Sequence, residues 1–64
     1  MKLSFEESGR TVEIWDVSTD TKECYRVVLG DPLAQFLYIY QSKAAVVEVC
    51  AEWCPGLRFW VDEE

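Results

Sequence analysis

The placement of glycine and proline constrains the fold of this chain more than any other feature. The 64 residues contain only three glycines and two prolines, which fall at Gly9, Gly30, Pro32 and Pro55-Gly56. Between Pro32 and Pro55 no glycine or proline occurs that would interrupt a regular element. A chain of this length holds one small domain, so we expect a single α+β domain over residues 1–64.

The first half of the chain alternates apolar and polar side chains, which is typical of strands with one buried face. The alternation covers residues 2–6, 11–17 and 23–29. Gly9 can take the positive φ that a tight hairpin needs, and the polar segment 18–22 supplies a second turn. The pattern predicts a three-stranded antiparallel meander.

The second half predicts one long helix. Asp31 is a good N-cap, and Pro32 fits the first helical position because its missing N–H is not needed there. The helix would run from Pro32 to the stop signal at Pro55, with an apolar stripe at helical period. The stripe comprises Leu33, Phe36, Leu37, Tyr40, Ala44, Val47, Ala51 and Cys54. A closing strand at residues 57–61 completes the predicted fold.

An alternative for the same residues stays open. Residues 35–41 and 45–50 are rich in aromatic and β-branched side chains, which favour strands. The alternative is a short helix from Pro32 to about Ser42, followed by a hairpin of strands at residues 45–50 and 57–61. We prefer the single helix because Ser42 lies in a poor turn sequence, through which the apolar stripe continues.

Alternation also predicts two different faces for the sheet. The helix is expected to cover the face formed by Leu3, Phe5, Val12, Ile14, Tyr25, Val27, Leu29, Leu57, Phe59 and Val61. The other face is expected to carry Glu13, Trp15, Val17, Arg26, Val28, Arg58 and Trp60. Because Trp and Arg are enriched where binding energy concentrates, this second face is the predicted partner-binding surface.

The charge of the chain indicates what kind of partner to expect. Twelve acidic and six basic side chains give a formal net charge of −6. Nucleic acids and anionic membranes need a basic surface, so neither is an expected direct partner. A basic surface on a protein that handles nucleic acid suits this charge better. The carboxylates expected to contribute, besides Glu13, are Asp16, Asp20, Glu23, Glu48 and Glu52.

These features predict a non-catalytic inhibitor or adaptor. In size and charge the chain is similar to the small acidic inhibitors that phages and mobile elements encode. The alternative is a homodimeric structural or adaptor module that uses the aromatic sheet face or the helix stripe. The chain has no histidine, which removes the commonest group for proton transfer near neutral pH. It also lacks a G-x-S-x-G turn and a glycine-rich phosphate loop, so we expect neither an enzyme nor a cofactor.

Three cysteines raise the question of a metal site. Cys24, Cys50 and Cys54 are one ligand short of the usual zinc set, and their spacing does not match a zinc motif. Free cysteines commonly behave as small buried hydrophobes, which is the role we expect here. Three cysteines and a charged start without an apolar leader lead us to expect a cytoplasmic protein.

Overall fold

The structure, a computed structural model, describes residues 2–56. Within this range the chain forms four strands and one helix. They are β1 (Lys2–Glu7), β2 (Arg10–Asp16), β3 (Tyr25–Gly30), β4 (Gln35–Tyr40) and α1 (Lys43–Trp53). The predicted α+β class is confirmed, and the predicted strand at residues 57–61 lies outside the described residues.

The four strands form one antiparallel sheet in the order β1-β2-β3-β4. The predicted three-stranded meander is therefore confirmed, and β4 extends it. The turn between β1 and β2 has positive φ at Ser8 (54°) and Gly9 (82°), as a two-residue type I′ hairpin requires. This turn sets the register that places Leu3 opposite Ile14 and Phe5 opposite Val12.

The core lies between α1 and one face of the sheet. Its buried members are Val12, Ile14, Tyr25, Val27, Leu29, Val46, Cys50 and Cys54. The partly buried residues against it are Leu3, Phe5, Tyr40, Val49 and Trp53. The helix-facing residues predicted in β1 to β3 all belong to these two groups, whereas Leu57, Phe59 and Val61 lie outside the described residues.

Both predictions for residues 32–42 are wrong, whereas the preferred helix is confirmed over Lys43–Trp53. The long helix from Pro32 to Pro55 is replaced by β4 and α1, and the alternative placed a helix and a strand in the reverse order. The sequence of β4, QFLYIY, is rich in aromatic and β-branched residues that favour an extended backbone. Each residue of β4 also pairs with one of β3. Strand propensity and pairing together outweigh the helical spacing of the apolar residues.

The turn between β3 and β4 uses the same signal that predicted a helix start. The Asp31 carboxylate accepts hydrogen bonds from the backbone N–H groups of Leu33 at 2.9 Å and Ala34 at 2.8 Å. The Asp31 N–H in turn donates to the Ala34 carbonyl at 2.9 Å, which closes a hairpin. An Asp-Pro pair therefore fits a hairpin turn as well as a helix N-terminus.

The helix begins after Ser42, which is its N-cap. The Ser42 hydroxyl accepts a hydrogen bond from the N–H of Ala45 at 3.1 Å, and the Glu23 carboxylate accepts one from the N–H of Lys43 at 3.2 Å. Two of the N–H groups that a helix start leaves unpaired are thereby satisfied. Ser42, which lies in a poor turn sequence, is therefore the residue at which β4 gives way to α1.

The helix also buries a different side from the predicted one. Its sheet-facing residues are Val46, Val49, Cys50 and Trp53. Ala44 and Ala51, which belong to the predicted stripe, are exposed. The predicted stripe was positioned by the residues from Leu33 to Tyr40, which do not belong to the helix. Its continuation into α1 therefore falls on a different side of the helix from the side that is buried.

Candidate protein-binding surface

Within residues 2–56, no element covers the side of the sheet opposite α1. The strand register places alternate residues of all four strands on this side. We call this surface the open face. It consists of Lys2, Ser4, Glu6, Thr11, Glu13, Trp15, Arg26, Val28, Gln35, Leu37 and Ile39.

An apolar strip crosses the open face, formed by Trp15, Val28, Leu37 and Ile39. Val28 lies opposite Leu37, and Arg26 lies between Trp15 on one neighbouring strand and Ile39 on the other. Leu37 is 59% exposed, Ile39 55% and Trp15 37%. Exposed apolar side chains grouped on one face in this way are typical of an interaction site.

The indole of Trp15 is held by charged neighbours on the same face. The Lys2 ammonium lies 5.1 Å from the centroid of the ring, and the indole N–H donates to the Glu13 carboxylate at 3.4 Å. The ring therefore presents a large apolar area in a restrained orientation. Such an anchor loses little side-chain entropy when a partner binds.

The predicted partner-binding residues of β2 and β3 do lie together. Glu13, Trp15, Arg26 and Val28 share the open face, as the alternation predicts. Val17 follows β2 and is 38% exposed, and its N–H donates to the Cys24 carbonyl at 3.0 Å. The predicted residues Arg58 and Trp60 lie outside the described residues.

The predicted acidic residues do not form one continuous surface. Glu13 lies on the open face, whereas Glu48 and Glu52 are exposed on α1, at the other side of the sheet. Asp16 lies at the end of β2, and Asp20 and Glu23 lie in the connection from β2 to β3. None of these three belongs to the apolar strip. The described residues thus carry their negative charge on several sides of the domain.

Two of these carboxylates hold the local structure. Asp16 accepts a hydrogen bond from the backbone N–H of Ser18 at 3.0 Å, and hydrogen bonding to Ser18 lowers the pKa of Asp16. Glu23 accepts hydrogen bonds from the Tyr25 hydroxyl at 2.8 Å and from the first N–H of α1. The hydrogen bond to Glu23, followed by burial, raises the pKa of Tyr25. Asp16 thus connects the end of β2 to the loop that follows it, and Glu23 connects that loop to β3 and to the start of α1.

The thiols of Cys50 and Cys54 lie in the core, in the packing role that the sequence predicts. Their exposed fractions are 0% and 1%. Burial, followed by the proximity of Cys54, raises the pKa of Cys50 to about 11, which makes it a poor nucleophile at neutral pH. Among residues 2–56 no group of three or more Cys, Asp or Glu side chains is arranged to hold a metal ion.

Sequence reasoning missed Leu37 and Ile39, the two most exposed members of the apolar strip. It assigned them to the helix, where they would not share a face with Trp15 and Val28. The signal that could have found them is the segment from Phe36 to Tyr40, in which four of the five residues are aromatic or β-branched.

Models of known protein families, curated proteins and solved structures were each compared with this chain, and none matches it. The one helix among residues 2–56 is too short to cross a membrane.

Proposed function

We propose that this chain is a non-catalytic protein-binding module that contacts its partner through the open face. The observation that carries the proposal is the apolar strip, in which Leu37 and Ile39 of β4 are more than half exposed and a restrained Trp15 lies across β3 from them. Interfaces concentrate binding energy in apolar and aromatic anchors surrounded by a polar rim. The strip supplies the anchors, and the charged residues of the open face supply the rim.

Net charge favours a basic partner. The chain has a formal net charge of −6. This charge accelerates encounter with a positively charged surface and disfavours encounter with an acidic one. A protein that handles nucleic acid has such a surface, and inhibition or adaptor function at that surface is the activity we propose. Because the carboxylates of the described residues are dispersed, we assign steering to the charge and most of the affinity to the strip.

Affinity capture with variant baits tests this proposal. The bait is the tagged full chain in lysate of the source cells, compared with Trp15→Ala and Val28→Thr, and captured proteins are quantified by mass spectrometry. We expect the dominant partner to be reduced by tenfold or more with either variant, since central apolar anchors contribute about 2 kcal/mol or more each. Thermal melts establish that each bait is folded.

The matched control is Leu33→Ser, which removes the most exposed leucine of the described residues (95% exposed) from a turn outside the open face. Capture should be unchanged with this bait. Equal recovery of the partner with wild-type, Trp15→Ala and Val28→Thr baits would refute the open face as the contact surface. If as much of the partner is recovered at high salt as at low salt, the role given to charge is refuted.

A further inference from the structure

The outer edge of β4 forms a second exposed surface, which borders the open face. We infer that two copies of this chain pair antiparallel along β4, so that their four-stranded sheets join into one continuous sheet. Along β4 the exposed fractions are 43% at Phe36, 59% at Leu37, 42% at Tyr38 and 55% at Ile39. Among residues 2–56, no strand pairs with the outer side of β4.

The backbone groups at this edge can be assigned from the hairpin. The Asp31 N–H donates to the Ala34 carbonyl, and hydrogen-bonded pairs alternate along an antiparallel ladder. In the observed register, the even-numbered residues of β4 direct their N–H and C=O groups toward β3. Gln35, Leu37 and Ile39 therefore direct theirs outward, where another strand can reach them.

The two edges of the sheet are protected very differently. β1, at one edge, carries the charged residues Lys2, Glu6 and Glu7, and charge along an edge strand opposes pairing with another chain. β4, at the other edge, has no charged residue and no proline. An uncharged apolar edge of this kind favours strand addition.

The described end of the chain lies at the opposite edge of the sheet from β4. Gly56 lies against β1, because a Cβ atom added to it would collide with the carboxylate of Glu7. β1 and β4 are three strand spacings apart, or about 14 Å, so the last residue that the structure describes does not lie at β4.

A second copy matches this edge in its hydrogen-bonding groups. With Leu37 on the two-fold axis, Leu37 pairs with its own copy and Gln35 pairs with Ile39, so each outward N–H meets an outward C=O. On the helix side the same register brings Phe36 opposite Tyr38, an aromatic cross-strand pair. Because β4 carries no charge, the pairing brings no like charges together along the strand, although each molecule has a net charge of −6.

Pairing in this way also enlarges the binding surface. An antiparallel two-fold axis is normal to the sheet, so both open faces point in the same direction and become continuous. Four strands of about six residues form a face of roughly 400 Å², and two such faces approach the ~800 Å² that a standard interface buries per partner. This consequence rests on the proposed function, whereas the pairing itself does not.

Charge variants at the two-fold axis test the pairing. Sedimentation equilibrium of the full-length wild-type chain should show a concentration-dependent dimer. Leu37→Lys places two like charges opposite each other and should raise the dimer dissociation constant by about tenfold or more. Leu33→Lys makes the same charge change in the neighbouring turn and should leave the dimer intact.

A mixing experiment identifies the register. Leu37→Lys and Leu37→Glu should each be monomeric, and their mixture should form a heterodimer because opposite charges then meet at the axis. A wild-type chain that stays monomeric would overturn the pairing while leaving the proposed function intact. A Leu37→Lys dimer as tight as the wild type would overturn it as well, since copies would then associate through another surface.

Amide exchange gives a readout that needs no substitution. In the wild-type chain the N–H groups of Gln35, Leu37 and Ile39 should exchange slowly at concentrations that favour the dimer and rapidly after dilution. The N–H groups of Phe36 and Tyr38, which pair with β3, serve as internal controls and should stay protected at both concentrations. Rapid exchange at the three outward positions under all conditions would contradict edge pairing.

Discussion

β3 and β4 are neighbouring strands of the same length, and both are largely apolar, yet they differ sharply in burial. Tyr25, Val27 and Leu29 of β3 are buried, whereas all of β4 is exposed except the half-buried Tyr40. β3 has a strand on each side and a helix across one face, while β4, among residues 2–56, has a strand on one side only. Apolar composition sets what a strand is able to bury, and its place in the sheet decides how much it does bury.

The two strands also differ in how the apolar residues are arranged. β3 carries one charged residue, Arg26, on the open face, so that face is partly adapted to solvent. β4 is apolar on both faces from Phe36 to Tyr40. A strand with this pattern is suited to contacts on both faces and along its edge.

The largest expected effect compares the same substitution in the two strands. Leu29→Ala, at a position 4% exposed, should lower the free energy of unfolding by about 2–5 kcal/mol, because it removes buried methyl groups and leaves a cavity. Leu37→Ala, at 59% exposed, should change it by about 0.5 kcal/mol or less. Urea unfolding at low protein concentration measures both. Equal losses would mean that β4 is as buried as β3 in solution.

A smaller effect is expected at Ser42, where β4 gives way to α1. Ser42→Ala removes the hydroxyl that accepts the N–H of Ala45 and should cost about 1 kcal/mol. Ser42→Gly is the matched control and should cost only a few tenths of that amount, since glycine is tolerated at an N-cap. Thermal unfolding followed by circular dichroism gives both values. No loss for Ser42→Ala would mean that the helix does not begin at this residue.

The smallest expected effect is a loss of stability at alkaline pH, and it tests the burial of the core in contrast to the exposure of β4. Burial raises the pKa of Cys50 from 9.0 to about 11, so the folded protein holds this proton more tightly than the unfolded chain. The resulting stabilisation is fully present below pH 9 and is lost as the pH rises toward 11. The raised pKa values of Tyr25, Tyr40 and Cys54 act in the same direction.

Melting temperatures between pH 8 and pH 11 measure this loss. Cys50→Ala should lower the melting temperature at every pH, and its further decline with rising pH should be shallower than that of the wild type. Val49→Ala changes packing on the same helix without removing a titrating group, so its decline should parallel the wild type. Parallel declines for Cys50→Ala and Val49→Ala would contradict a raised thiol pKa.

The first half of the fold could be predicted because its signals are local. Alternation over residues 2–29 predicts strands, and Gly9 permits the type I′ turn that joins the first two. Together they also predict the register and the shared face of Glu13, Trp15, Arg26 and Val28. This part of the candidate surface could therefore be predicted without knowledge of the tertiary structure.

The second half could not be predicted because its local signals have two meanings. The carboxylate of Asp31 accepts backbone N–H groups in a hairpin turn as it would at a helix start. The apolar residues from Leu33 to Tyr40 fit the spacing of a helix, although their types favour a strand. Only the pairing with β3, which brings distant residues together, decides between these structures, and Leu37 and Ile39 were missed for that reason.

The sequence by itself determined the α+β class, the meander of β1 to β3, the acidic character and the two faces of those strands, because each depends on composition or short-range periodicity. The tertiary structure alone decided that β4 is a strand, that among residues 2–56 it lies at an edge of the sheet, and that α1 packs on one side of the sheet. These features depend on which segments compete for the same neighbour. That competition is settled by pairing and burial across the whole domain, which no local pattern in the sequence encodes.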